Sequence, residues 1–228
     1  MERKEKQVLY AGIIPGLIIQ FVGALCYFVI FKNSSLVQAL YGATKIALLV
    51  WPLIWVALGY VVLKKGVREY TKSICYGLAL GGVFIGILFG LFFIYEAEFR
   101  SFSQNIILQA TAWNLIEWYI LFAIGVSLIH SLLEEYYWRW FIFSGLHKHL
   151  RWEWAAIISS IGFASHHYII LHQFFPLWMT IIFGTGVGVG GFLWCALYKK
   201  TNSIIGPWIS HILVDGALFF IGYLLIFT

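Results

Sequence analysis

"SLLEEYYWRWFIF" (Ser131–Phe143) sets two adjacent glutamates and an arginine among leucine, tyrosine, tryptophan and phenylalanine. Its reading turns on whether water or lipid surrounds it. Of the 228 residues 61% are hydrophobic and 11% charged, with a mean hydropathy of +0.86. A soluble domain carries about a quarter of its residues charged. There is too little polar surface here to coat a globule, so the chain is an integral membrane protein. Its length suits a single transmembrane domain over residues 1–228. The net charge of +5 would suggest a nucleic-acid partner in a soluble protein. In a membrane protein it reflects basic loops, and no nucleic acid is expected. Cys26, Cys75 and Cys195 lie far apart in apolar segments with no CxxC spacing, which predicts small buried hydrophobic side chains rather than a disulfide framework or zinc cage.

A bilayer crossing needs about 20 apolar residues. Runs of that kind occur at 8–31, 46–63, 74–95, 113–147, 153–173, 177–198 and 203–227. They predict an all-α, polytopic bundle of about seven transmembrane helices. The fourth run, at ~1.5 Å per residue, would cover about 50 Å and must tilt, protrude or break. Ahead of it "EAEFRSFSQN" (Glu96–Asn105) is polar and predicts a short interfacial helix. The first run is too long for a cleavable signal peptide.

Basic residues orient such a bundle. Arg3, Lys4, Lys6, Lys64, Lys65, Arg68, Lys72, Lys148, Arg151, Lys199 and Lys200 fall on one face if seven spans are drawn; Lys32 and Arg100 fall on the other. Positive loops stay in the cytoplasm, which predicts a cytoplasmic N-terminus and an outside C-terminus.

Ionisable side chains at bilayer depth cost roughly 2.5–3.5 kcal/mol each on insertion scales and are functional candidates by default. They are Glu134, Glu135 and Arg139 on the fourth run, His166 and His167 on the fifth, and His211 and Asp215 on the last. Glu134 is 14 residues from Lys148 and His167 is 16 from Arg151; His211 and Asp215 are 11 and 15 from Lys200. All four therefore lie roughly 16–24 Å from the basic loop level. Three helices bring acids and imidazoles to one depth, which predicts an intramembrane polar cavity.

Spacing then sorts the roles. Glu135 and Arg139 stand at i and i+4 in the favourable order for an ion pair. Glu134 points about 100° away, since a helix turns once in 3.6 residues. Phe163 and His167 share a face, as do His211 and Asp215. A carboxylate facing imidazole in a dry cavity can hold and deprotonate water. Each pair taken alone also suits plain packing: Glu135–Arg139 as a helix tie, His130 as a hydrogen-bond partner for Glu134, His211–Asp215 as a structural pair. "GTGVGVGG" (Gly184–Gly191) lacks the strand and the Lys-Ser/Thr of a phosphate loop. Glycines four apart there (Gly184/Gly188, Gly186/Gly190) permit close helix packing in lipid instead. "HKH" (His147–His149) fits a helix end at the headgroups better than a metal site.

Three motifs in order carry a resemblance. "EEYYWR" (Glu134–Arg139) fits EExxxR, "FASHH" (Phe163–His167) fits FxxxH, and "HILVD" (His211–Asp215) fits HxxxN/D. Together they resemble the CPBP family of intramembrane proteases, which includes type II CAAX prenyl endopeptidases and bacteriocin-processing and immunity (ABI) proteins. The resemblance covers about residues 113–218. It implies that Glu134 activates water with His167, that Glu135 and Arg139 form a supporting pair, and that His211 and Asp215 face the scissile carbonyl on the oxyanion side. Many members have Asn where this chain has Asp215. An ionised Asp cannot donate to an oxyanion, so here it is expected to orient His211 or to be protonated. His166 is an additional histidine.

The expected function is an intramembrane endopeptidase acting on a membrane-associated peptide or protein. The residues do not distinguish a prenylated tail from a signal, pheromone or bacteriocin leader, and they do not set an oligomeric state. Other readings are a non-catalytic peptide-binding or immunity protein, and a proton-coupled transporter using the same groups as a relay. A transporter would show paired inverted repeats with broken helices, and none is found. No cofactor is expected, because carboxylate and imidazole can activate water alone. The alternative is zinc on His167, His211 and a carboxylate, although HExxH is missing.

Overall fold

A computed structural model describes residues 2–31, 35–60 and 68–228. In chain order the helices are α1 (Lys4–Ile30), α2 (Ser35–Ala57), α3 (Tyr70–Ile94), α4 (Glu96–Ser101), α5 (Ser103–Ala112), α6 (Tyr119–His147), α7 (Trp152–Leu171), α8 (Leu177–Thr201) and α9 (Ile205–Phe227). No strand occurs among the described residues. α1, α3 and α6 to α9 are each long and apolar enough to cross a bilayer, and α2 has a shorter apolar part, Tyr41–Ala57. Large apolar side chains such as Ile94 (73% exposed) cover the outside, as lipid-facing surfaces require. The chain is an integral, multi-pass helical membrane protein.

The expectation of about seven membrane helices is borne out as six spans and this shorter helix, with changed boundaries. α2 starts at Ser35, well ahead of the apolar run at 46. Residues 61–63 of that run, and Lys32, Lys64 and Lys65, lie outside the described residues. The long fourth run breaks near its start. Asn114 takes a left-handed backbone (φ 54°) just after α5, a usual way to end a helix. α6 then begins at Tyr119. The polar stretch before it forms two short helices, α4 and α5.

The chain divides into two compact units. The first unit holds residues 1–68 and 133–202, hence α1, α2, the C-terminal half of α6, α7 and α8. Within it α1 and α6 run antiparallel, since Ile13 sits against Gly145 and Gly16 against Ile142 and Tyr137. Tyr137 Oη donates to the Gly16 carbonyl at 2.7 Å. Trp51 Nε1 on α2 donates to the Gly12 carbonyl at 2.9 Å. Gly184 and Gly188 of α8 face Tyr168 and Ala164 of α7, whereas Gly186 faces open space. The glycine stretch thus packs closely along the Gly184/Gly188 row, and in the other row Gly190 is buried while Gly186 is not.

α6 contains π-helical turns at Val126–His130 and Tyr136–Phe143, the second immediately after the two glutamates. Wide turns of this kind interrupt the regular hydrogen-bond ladder and frequently mark functional positions. A third π-helical stretch, Val8–Ile13, precedes Pro15 in α1, where the missing N–H and the ring displace the ladder.

The second unit holds residues 69–132 and 203–228. Its centre is the packing of α3 on α9. A Cβ on Gly77 would meet the Gly206 backbone, and one on Gly206 would meet that of Ser73. Close approach of this kind is how helices associate in lipid. Ser73 Oγ accepts the Gly206 N–H at 2.9 Å, filling one of the donors that a helix start leaves open.

Candidate active site

α6 and α7 of the first unit present the charged core. Arg139 Nε lies 3.0 Å from Glu135 Oε2, and the side chains are 1% and 0% exposed. The guanidinium also lies over two rings, 4.5 Å from the Phe163 centroid and 5.0 Å from that of Trp194. An aromatic pair of this kind attracts a desolvated cation through its π-faces. The ion pair predicted from spacing is therefore present, and it ties α6 to α7 and α8.

Glu134 faces elsewhere. Its Oε1 lies 3.6 Å from His166 Nε2, with both side chains almost fully buried. His166 stacks on Trp138 (centroids 6.4 Å apart, planes 10° apart) and lies beside His167, ring centroids 4.1 Å apart. His167 Nδ1–H donates to the Phe163 carbonyl at 2.9 Å. That bond fixes the tautomer and leaves Nε2 as the nitrogen available for a water, a proton or a ligand. One oxygen of Glu134 and one nitrogen each of His166 and His167 lie within 4.8 Å of one another. Sequence reasoning named Glu134 and His167 as partners. The structure adds His166 to the same cluster, its ring stacked on Trp138 and set beside that of His167.

The same cluster suits a divalent cation by chemistry: two imidazoles and a carboxylate are the three-ligand set of catalytic zinc. The expected alternative set drew on His211, which belongs to the second unit. There His211 Nε2 lies 3.7 Å from Asp215 Oδ1, one helical turn apart, as the spacing predicts. Trp208 Nε1, on the turn before, donates to the Leu128 carbonyl at 3.0 Å and anchors this part of α9 to α6.

Lys45 was missed in the sequence because the apolar run was drawn from 46. α2 begins eleven residues before that, at Ser35, so Lys45 sits inside a helix and not at its edge. Its Nζ lies 5.2 Å over the Tyr41 ring. An open groove of about 630 Å³ also runs along α7 and α8, but its lining is apolar, including Ile157, Ile161, Ala164 and Val189. None of the three clustered residues lines it.

A helical membrane protein with a buried carboxylate–imidazole cluster is the class that fold and site define. Residues 116–217 match the family model described as "Type II CAAX prenyl endopeptidase Rce1-like". The match spans a little under half of the chain and contains all three motifs, so the resemblance read from those motifs is borne out there. It supports an intramembrane endopeptidase of the CAAX type in general. No curated protein and no solved structure gives a significant match.

Proposed function

We propose that the chain hydrolyses a peptide bond of a membrane-associated peptide or protein, using water activated by Glu134. The observation that carries this reading is the buried Glu134–His166–His167 cluster inside the segment that matches an endopeptidase family. In a dry site a carboxylate can take a proton from water as the water oxygen attacks the scissile carbonyl carbon. The proton then passes to the leaving amine, and the products are a carboxylic acid and a free amine. His167 Nε2 holds the water, and His166 fixes the Glu134 carboxylate. His211, oriented by Asp215, keeps the oxyanion-side role that the family resemblance implies. Glu135 and Arg139 act as a positioning pair.

If a divalent metal is bound, Glu134, His166 and His167 would hold it, and it would supply Lewis acidity. The chemistry of a carboxylate and two imidazoles does not require it. Activity of purified protein after exhaustive chelation tests this, and loss that stoichiometric zinc restores would decide for a metalloenzyme.

The reading is tested by peptide mass spectrometry on membranes containing the wild-type protein or Glu134→Gln. Glu134→Gln is expected to fold normally and to lower kcat at least about a hundredfold, the usual size of a lost general base. Wild-type turnover in this variant would overturn Glu134 as the water-activating group, whereas no cleavage product from the wild-type protein itself would favour a peptide-binding protein. The charge asymmetry of the loops supports a cytoplasmic N-terminus and an outside C-terminus. Reporter fusions at the two ends should report opposite sides, and the same side for both would remove one crossing from the count.

A further inference from the structure

The apolar groove along α7 and α8 has no part in the chemistry proposed for the buried cluster. Small residues make its floor: a Cβ on Gly188 would meet Ala164 at 3.5 Å. Ile161 (64% exposed) and Val189 (53% exposed) stand at its rims, and Phe21 of α1 adds to one wall. One end is bridged by Tyr168, whose hydroxyl shares a 2.9 Å hydrogen bond with Thr185 Oγ1.

Dimensions decide what fits. From Ile157 to Ile169 the groove follows α7 for about 18 Å, and one leaflet of hydrocarbon is about 15 Å deep. Its volume of about 630 Å³, spread over that length, leaves a mean cross-section of roughly 35 Å². A helix about 10–12 Å wide needs roughly 80–110 Å². The groove therefore suits one extended chain and not a helix from a second copy. Apolar walls at membrane depth draw that chain from lipid.

The opposite end leads to the basic loop level. Phe192 lines the groove, and its ring lies 5.9 Å from that of Trp152. Lys199 Nζ sits 4.4 Å over the Trp152 ring, and Arg151 immediately precedes it at the start of α7. Arg151 makes one long contact, 3.5 Å, with Glu153, so two cations stand against one carboxylate around this tryptophan. Both cations are exposed. Tryptophan belongs at the headgroup level of a bilayer, and basic side chains there attract anionic lipids.

We propose that α7 and α8 hold an anionic phospholipid, with one acyl chain in the groove and its phosphate at Lys199 and Arg151. The groove's width selects a single chain, and the two cations select the headgroup. An ammonium meets phosphate as a compact point charge, and a guanidinium can donate two parallel N–H bonds to it. A zwitterionic lipid fits the groove equally well but brings its own cation towards these two side chains. None of the clustered residues lines the groove, so the inference stands apart from turnover.

The experiment is native mass spectrometry of the full-length protein, released from detergent micelles, with dioleoyl phosphatidylglycerol or dioleoyl phosphatidylcholine. Phosphatidylglycerol should bind at least about tenfold more tightly, the scale expected of two basic residues near an anionic headgroup. Lys199→Gln/Arg151→Gln should bring the two affinities together by weakening phosphatidylglycerol. Lys72→Gln, which removes an exposed cation from the second unit, should leave the preference unchanged. Val189→Phe narrows the groove and should weaken both lipids by a similar factor, keeping their ratio. Thermal unfolding without added lipid checks that each variant is folded, and Ile161→Phe on the other rim replaces Val189→Phe if that variant is not. A preference that survives Lys199→Gln/Arg151→Gln, or falls equally with Lys72→Gln, overturns the proposal. Wild-type lipid binding in the groove variants overturns it as well. So does displacement of phosphatidylglycerol by an equal concentration of glycerol phosphate, which would mark a bare anion site that needs no acyl chain.

Discussion

In the first unit a glutamate, a glutamate–arginine pair, a histidine and a glutamine are buried among aromatic rings; in the second, the interior is built from glycine, serine and apolar side chains, with His211 as its buried ionisable group. Lipid tails are as apolar as leucine, so burial by itself drives little helix association in a bilayer. The second unit compensates with backbone contact: Gly77 on Gly206, and Gly81 against Leu213 and Ser210. The first unit gives up part of that economy. Charges at bilayer depth are expensive, and a buried ion pair is weak grounds for stability, because desolvation offsets the attraction. Polar groups held there at such cost point to chemistry, and the glycine contacts point to architecture. The two regions should therefore fail differently when altered.

The largest separation is in activity. Glu134→Gln should remove turnover while leaving unfolding unchanged, a result that no glycine substitution in the second unit should mimic. Among the stabilities the largest change should come from the ion pair. Glu135→Ala or Arg139→Ala strands a buried charge and should cost about 3–5 kcal/mol. The double change Glu135→Leu/Arg139→Met should cost far less than the sum, since neither charge is left alone. Thermal unfolding in detergent micelles measures all three. Additive losses would mean that Arg139 is held by Phe163 and Trp194 rather than by Glu135, and that the rings are the true partners.

The corresponding break in the second unit is Gly206→Ala. The new Cβ would meet the carbonyl and backbone of Ser73, which cannot rotate away as a side chain tip could. Overpacking of this sort costs about 1–3 kcal/mol. Gly82→Ala, whose Cβ meets nothing within 4 Å, is the control and should be nearly silent. Equal effects at the two positions would show that α3 and α9 are not held by backbone contact.

These contrasts also explain what was readable beforehand. Glu134, Glu135, Arg139 and His167 stand out in the sequence because ionisable residues are rare in apolar runs, and i, i+4 spacing alone predicts the Glu135–Arg139 contact seen at 3.0 Å. His166 could not be separated from His167, because which of two neighbouring imidazoles reaches Glu134 depends on the tertiary packing of Trp138. Lys45 was lost for a different reason: hydropathy places a helix start where charge ends, whereas α2 starts at Ser35. The Gly77–Gly206 approach was invisible because a single glycine does not reveal which helix it meets. The run at Gly184–Gly191 had a repeating pattern, and even there Gly186 faces open space.

The smallest predicted effect tests whether single hydrogen bonds matter in the glycine-built unit. Tyr119 Oη donates to the Phe219 carbonyl at 2.8 Å. The hydroxyl lies where a side chain on Gly222 would otherwise start. Its ring meets Phe219 and Phe227 edge-on, with centroids 6.1 and 5.7 Å away. Tyr119→Phe keeps those ring contacts and removes the donor from a carbonyl that the helix ladder already serves, so no acceptor is stranded. The loss should be about 1 kcal/mol, the net worth of an ordinary hydrogen bond, with peptide cleavage unchanged. Gly222→Ala should push the hydroxyl away and cost more, because Cβ must share the space with it. Once Tyr119→Phe has removed that oxygen, Gly222→Ala should cost less, and a double-mutant cycle reads the difference as coupling. A coupling indistinguishable from zero would mean that the hydroxyl and the glycine do not share that space, and that ring packing sets the contact of Tyr119 with α9.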